Sequence, residues 1–599
     1  MTERRAKAAA AWAAVLALAT LALGAAPSPA NPVPDLQREC PEIMPLESVR
    51  TGMRGTAISV VRGRNPVAFG AEVLGVLRDA VGPGRDIIIV ELSGNAVVAA
   101  GGLWAGASGS PVFLREGGKD KVAGAIAYGL AGGASMLAGL TPAEDMNELL
   151  QGGGGGELAG TVRVPTSLAR RISGATGLSV AQVSAFERLR TPLSASGLND
   201  RGLRRMQDAI DRQGLPFIAY KGSSSNNPPP PPSPPTGLRA GDSFAAALSL
   251  GDVTVAGVGT TTWVCQGRAV AFGHPMGWTG KTTLAARAAE TITIVPDPVF
   301  GGYKLANIAE NAGVVTQDRL AGIVAELGPG PEGSPITSTV RDLDTGRART
   351  GRSEAILPEF LPFLAFSHLF QNVDVTIDRI GGGNAEVAYT IRGTRDAGAE
   401  WELTRSSRYA SRFDVSFESV LELSFTAELL QAFDGEDVDV TGIDVPQLDI
   451  EEAYEAYRLQ RVLVWNGSKY VRREAVRRSP GQLVRLRAVL KPAHLPGTQT
   501  VDFRLRVPAS ARRSGWIEVV GGGSTFAEVP CFFEEEECGE EADAQTFDQL
   551  LAAFEQQPRG DELVARLRLG RSGAVRASST SRQDAVVTGR ALIALLLVR

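Results

Sequence analysis

The chain has 599 residues, too many for one hydrophobic core, and its 61 basic and 66 acidic side chains leave a formal net charge of -5. That balance argues against a nucleic-acid-binding protein or a polybasic membrane contact. Sixty-nine glycines, 35 prolines and 6% aromatic residues favour β-structure with many turns over helix bundles.

Arg4, Arg5 and Lys7 precede an apolar Ala/Leu run over residues 8–23, and small residues continue to Ala30. This pattern predicts a secretory signal peptide over residues 1–30, cut between Gly24 and Asn31. The alternative is an uncleaved anchor, for which the run is short. An exported, periplasmic or extracellular protein with no transmembrane span after cleavage is therefore expected. Residues 31–150 alternate short Val/Ile/Leu runs (56–61, 71–76, 86–92) with glycine turns and predict a β module. Residues 152–156 are all glycine. Arg/Leu/Ala/Glu-rich periodicity over 164–213 predicts a helical segment at 151–220.

Residues 221–237 (KGSSSNNPPPPPSPPTG) read as a linker, flexible and then stiff. A second β module is expected at 238–335, with strands at 244–250, 253–258, 260–264 and 269–272. An apolar connector follows at 336–370, helical over 354–370. Residues 371–545 return to short strands (373–377, 385–391, 461–464, 483–490, 500–507, 516–520), which predicts an immunoglobulin-like or related sandwich. The closing segment, 546–599, reads as a helix at 546–555 and a strand at 562–569. A buried strand or helix turn is expected at 591–598.

The four cysteines are Cys40, Cys265, Cys531 and Cys538. An exported chain permits disulfides. Cys531 and Cys538 flank the acidic run 534–537, which suits a local bridge, leaving Cys40 and Cys265 to pair or stay free. No Cys-x-x-Cys or His-x-x-x-His spacing exists, so no metal site is expected. The segment 277–283 (GWTGKTT) lacks the first glycine of a phosphate-binding loop, and the acidic stretches 342–344 and 434–439 lack calcium-loop spacing.

The most informative stretch is residues 106–111, GASGSP, which leads into VAGAIAYG at 122–129. A serine between small residues in a tight turn can present a hydroxyl and aim backbone N–H groups at one point, as acyl transfer requires. The same residues also suit a plain glycine-rich hairpin turn. A nucleophilic serine needs a base, and the chain has three histidines: His274, His368 and His494. His368 lies in an apolar run and reads as packed; His494 lies in a Pro-flanked turn and reads as exposed. His274 ends a strand in Gly-His-Pro and reads either as a turn histidine or as the base for Ser108.

These two blocks resemble the SpoIVB-type serine peptidases. The first spans 71–150, with EVLGVL, IIIVEL, GLWAGASGSPVF, VAGAIAYG and LTPAEDMNELL. The second spans 251–327, with GDVTVAGVGTTTW, RAVAFGHPM and QDRLAGIVAELG. Together they cover under half of the chain. The resemblance implies a trypsin-like double β-barrel with Ser108 as nucleophile and His274 as base. It also implies an oxyanion hole from the backbone N–H groups of Gly106 and Ser108, and no cofactor. The serine block here precedes the histidine block, so the halves are exchanged. The position of the family's acid is held by Ser93, the favoured orienter of His274; Asp86, Glu91, Asp252 or a backbone carbonyl are the other candidates. The whole reads as an exported serine endopeptidase acting on a protein or peptide in the cell envelope. The alternative is a catalytically weak or inactive scaffold that binds an envelope partner through its C-terminal sandwich.

Overall fold

The structure is a computed structural model and describes residues 40–131, 133–152, 161–223, 237–297, 301–396, 398–524, 544–570 and 574–598. The signal-peptide reading, the glycine hinge, most of the proline-rich linker and the Cys531–Cys538 pairing lie outside the described residues. The fold is mainly β, with one closed six-stranded barrel and a further half-barrel.

The serine-bearing module contains β1 (Arg54–Ser59), β2 (Val67–Gly82), β3 (Arg85–Ser93), α1 (Asn95–Ala99) and β4 (Trp104–Ala105). Then follow β5 (Pro111–Glu116), β6 (Lys119–Leu130), β7 (Leu137–Pro142) and α2 (Ala143–Leu149). The strand order β5-β1-β2-β3-β7-β6 closes through β5–β6 pairing. The apolar run of β3 is continuous because both of its faces are covered. Ile88 and Val90 point inward with Phe69, Val112 and Leu140. Ile87 and Ile89 point outward, against the cluster that holds Leu168 and Ile172.

The segment expected to be helical is mixed. It carries β8 (Thr161–Arg163), α3 (Thr166–Thr176), β9 (Ala185–Arg188), β10 (Thr191–Ser196), α4 (Asp200–Arg212) and β11 (Phe217–Lys221). Its strands are recruited by both modules: β9 pairs with β6, and β10 pairs with the second module. Edge pairing with a sheet far away in sequence overrides local helical composition here.

The histidine-bearing module contains β12 (Ser243–Gly251), β13 (Thr254–Cys265), β14 (Arg268–Ala271), β15 (Gly280–Val295), β16 (Gly302–Arg319) and β17 (Gly322–Leu327). They follow the order β13-β14-β17-β16-β15-β12, and β12 also pairs with β13. The two modules pack on each other. Ile58, Phe113, Ala125 and Met146 share one cluster with Trp263, Val270 and Val324. β4 pairs in parallel with β16, and Cys40 is bonded to Cys265.

The second sheet continues beyond β12 through β19 (Ala348–Ala355), β18 (Ser334–Asp342), β22 (Val438–Glu451), β20 (Gly383–Arg395) and β21 (Ala399–Ser411). Helices α5 (Leu361–Ile377) and α6 (Val415–Gln431) share a core with it. Two expectations are corrected here. The connector contains a β-hairpin, β18–β19, before its helix. Residues 373–377 are the end of α5, not a strand: the helix is buried on nearly every side, and Val373, Thr376 and Ile377 continue the packing begun by Leu361, Leu364 and Leu369. The sandwich is also displaced. It consists of two five-stranded sheets drawn from residues 456–597, with one shared core. The strands at 383–451 belong to the large sheet instead. Strand Arg590–Leu597 is part of the sandwich, so the closing segment is integral to it. Among the described residues no helix is long and apolar enough to cross a membrane.

Candidate functional site

The serine turn, residues 106–110, joins β4 to β5. Gly106 and Gly109 have φ of +89° and +91°, a backbone region that glycine alone adopts cheaply. At Gly109 a Cβ would lie 1.9 Å from the Thr260 carbonyl oxygen and 2.5 Å from the Phe272 nitrogen. The turn is therefore pressed against β13 and the end of β14. Strand β13 holds it by three bonds. Thr260 N–H donates to the Ser108 carbonyl at 2.8 Å, and Thr260 Oγ1 donates to the Gly106 carbonyl at 3.0 Å. Thr262 Oγ1 donates to the Gly109 carbonyl at 2.8 Å. Within the turn, the amides of Ala107, Gly109 and Ser110 donate to Trp104, Ile126 and Ala107. None of those three bonds uses the amides of Gly106 and Ser108, the pair expected to form the oxyanion hole.

His274 follows β14 on a second turn, with Phe272 at φ +70° and Gly273 at +69°. A Cβ at Gly273 would lie 3.2 Å from the Ile126 carbonyl oxygen, the same oxygen that accepts from Gly109 N–H. One carbonyl thus touches both turns. Thr141 Oγ1 anchors the Gly273 carbonyl at 2.5 Å. The buried Asp318 carboxylate accepts from Met276 N–H at 2.8 Å and Gly277 N–H at 2.7 Å, which fixes the loop just past the histidine.

The imidazole Nδ1 lies 2.8 Å from the Pro275 carbonyl oxygen, an acceptor only. Nδ1 therefore carries the proton, and Nε2 presents a lone pair, the tautomer a general base needs. Arg188 Nη1 reaches the same carbonyl at 3.3 Å. Burial, reinforced by the positive charge of Arg188, pushes the His274 pKa down to about 3, with the Pro275 bond opposing. Ser108 Oγ and His274 Nε2 are both fully buried, and neither makes a hydrogen bond. The Ser–His bond itself is thus not formed in this structure.

None of the four side-chain candidates reaches His274. Ser93 is exposed at the end of β3. Asp86 is paired with Arg78 at 2.5 Å. Glu91 is half-buried on β3, level with Glu72 and Leu137. Asp252 accepts from Arg352 N–H at 3.1 Å and lies 3.6 Å from Arg349, in the neighbourhood of His368. The orienter is a backbone carbonyl, that of Pro275, the one non-side-chain candidate; which carbonyl it would be no side-chain motif could announce. Asp318 and Arg188 were likewise missed. Asp318 lies inside the QDRLAG block, where burial was the only distinguishing feature, and burial is not a local property.

The other histidines are where their contexts imply. His368 is buried on α5 between Ser338 Oγ and Ser353 Oγ, each at 2.9 Å. His494 is exposed, its ring 5.4 Å from that of Tyr454. Among the described residues no group of three or more His, Cys, Asp or Glu side chains is arranged to hold a metal ion. No family model, curated protein or solved structure matches this chain. The likeness to SpoIVB-type peptidases therefore rests on the two motif blocks alone.

Proposed function

We propose that the protein is an exported serine hydrolase that cleaves a protein or peptide by Ser108–His274 acyl transfer. The observation that carries this reading is a complementary pair of orphaned atoms. A buried polar atom without a partner costs about 1–3 kcal/mol, and such atoms are rare. Ten such atoms occur among the described residues, and three of them, Ser108 Oγ, Ser110 Oγ and His274 Nε2, lie on two turns that share a carbonyl contact; Ser108 and His274 supply a hydroxyl donor and an imidazole acceptor. Catalytic hydrogen bonds are often long without substrate and tighten in its presence.

In the proposed step His274 Nε2 takes the Ser108 proton as Oγ attacks the scissile carbonyl. The N–H groups of Gly106 and Ser108 receive the oxyanion, and the imidazolium then protonates the leaving amine. Water repeats the sequence on the acyl-enzyme. The imidazolium is held by a neutral carbonyl and opposed by Arg188, so turnover is slow; loss of the triad charge costs on the order of 10⁴ in rate elsewhere. The Cys40–Cys265 bridge and the basic-then-apolar N-terminus support export.

A second reading is a catalytically silent scaffold that binds an envelope partner, and the complete burial of Ser108 and His274 favours it. A fluorophosphonate probe applied to purified protein separates the two. Covalent labelling at Ser108, lost in Ser108→Ala and in His274→Gln, supports the hydrolase. No labelling of a folded protein supports the scaffold.

A further inference from the structure

Lys304 is the least expected residue near the serine turn. It lies on β16 and is fully buried. Its Nζ donates to Thr260 Oγ1 at 3.0 Å and Ser243 Oγ at 3.2 Å, with Ser59 Oγ and the Gly259 carbonyl each at 3.5 Å. Ser243 Oγ in turn bonds Thr291 Oγ1 at 2.8 Å. The cage is built from both modules: Ser59 belongs to β1, while Ser243, Thr260 and Thr291 belong to β12, β13 and β15. The lysine also abuts the turn directly, since a Cβ on Gly106 would lie 2.7 Å from Lys304 Cβ.

We infer that Lys304 is a positioning residue for the Ser108 site, setting the Gly106 carbonyl through Thr260 only while its amine is protonated. The inference rests on the Ser108 acyl-transfer reading for its catalytic consequence but not for its geometry. An ammonium has three donors and no lone pair. Bonded to it, Thr260 Oγ1 must accept, so the hydroxyl's single proton is free for the Gly106 carbonyl, where it is found. Thr260 thereby grips the turn twice, by Oγ1 at Gly106 and by N–H at Ser108. A neutral amine carries a lone pair that competes for that same proton. When it captures the proton, the Gly106 carbonyl loses its partner, and the peptide plane that carries it is free to rotate.

The charge facing Lys304 is Asp242, just before β12, whose carboxylate is shared with the Arg239 N–H at 2.9 Å and the Arg239 guanidinium at 3.4 Å. The contacts from β1, β12 and β13 supply only hydroxyls and a carbonyl. Burial pushes the Lys304 pKa down to about 7, with Asp242 opposing. The clamp therefore holds below about pH 7 and loosens above it. His274 stays neutral across that range, so it does not impose the same midpoint.

The test follows fluorophosphonate labelling of Ser108 from pH 5 to 9 in the full-length protein and in Lys304→Met, Lys304→Arg and Thr260→Val. The wild type is expected to label fastest below pH 7 and to decline with a midpoint near 7. Lys304→Met and Thr260→Val are expected to label on the order of tenfold more slowly below pH 7 and to lose the midpoint. Lys304→Arg, charged throughout, is expected to keep the rate without the decline. Amide exchange of the peptide spanning residues 104–112, measured in Ser108→Ala with and without each change, reads the clamp without any chemistry. It should show protection that falls above pH 7 only where Lys304 is present. If that exchange pattern is found but Ser108 never labels, the hydrolase reading fails and the clamp stands. If exchange and labelling are the same function of pH with and without Lys304, the clamp is refuted. Folding of each variant is checked by protection of β20 and β22, far from the cage; if Lys304→Arg does not fold, Thr260→Val, which alters no charge, decides.

Discussion

His274 should make the two-module body sensitive to acid by an amount that can be worked out. A histidine in an unfolded chain titrates near 6.5, whereas His274 is pushed down to about 3 in the folded protein by burial. The folded-state pKa is depressed, so the unfolded state binds more protons between these values. Stability is therefore fully present above pH 6.5 and is lost as the pH falls through 3. At pH 4 the unfolded imidazole is almost fully charged and the folded one about one-tenth charged, a linkage cost of about 3 kcal/mol. Because many carboxylates also titrate, the measurement is a difference of differences. Wild type and His274→Gln are compared at pH 7 and pH 4 by native-state hydrogen exchange of β13 and β14 amides, which reads opening of this body rather than of the whole chain. His368 and the carboxylates cancel between the two proteins when they are distant from the substitution. His274→Gln is expected to lose about 3 kcal/mol less than wild type on acidification. Parallel losses in the two proteins would show that His274 is protonated in the folded state and would remove the buried neutral base from the mechanism.

Three further outcomes are expected. Gly109→Ala should destabilise the module junction by more than about 3 kcal/mol in urea unfolding and abolish Ser108 labelling, because a Cβ there would lie 1.9 Å from the Thr260 carbonyl oxygen on a left-handed backbone. Arg188→Met removes the positive charge that helps to depress His274, so the imidazole should titrate at higher pH by NMR and the acid sensitivity above should shrink. Replacing Cys40 and Cys265 together by alanine frees a link between residues 225 apart in sequence, and calorimetry should show a loss of about 4–5 kcal/mol from the two-module body with the sandwich unaffected.

The two turns that make up the site were legible in the sequence because each is a local backbone requirement. GASGSP needs glycine where the chain turns left-handed against a neighbouring strand, and Gly-His-Pro needs it where β14 ends. His274 stands out because the chain has only three histidines, and Ser108 because it lies between small residues in a turn, a composition that a plain hairpin turn shares. The short alternating runs likewise announced a mainly β protein of several modules. Beyond this, local pattern and tertiary outcome part company. The β-branched residues at 373–377 have strand character, yet they form the last turn of α5, with Val373, Thr376 and Ile377 buried and Val375 exposed. The strands at 383–451 look like those of the sandwich, but pairing of β22 with β18 assigns them to the large sheet.

The orienter of His274 illustrates the same divide at the scale of one atom. A carboxylate has an identity in sequence, whereas the Pro275 carbonyl is one of hundreds of identical backbone groups. Only the loop conformation held by Asp318 turns it toward Nδ1. Lys304 is similar: one lysine in a strand means little until hydroxyls from three strands close around it. Sequence alone determined which short segments could turn, bury or alternate, because those are properties of a residue and its neighbours. Tertiary structure decided which strands pair, which carboxylate is buried and which amine is desolvated, because each of these depends on groups brought together from distant parts of the chain.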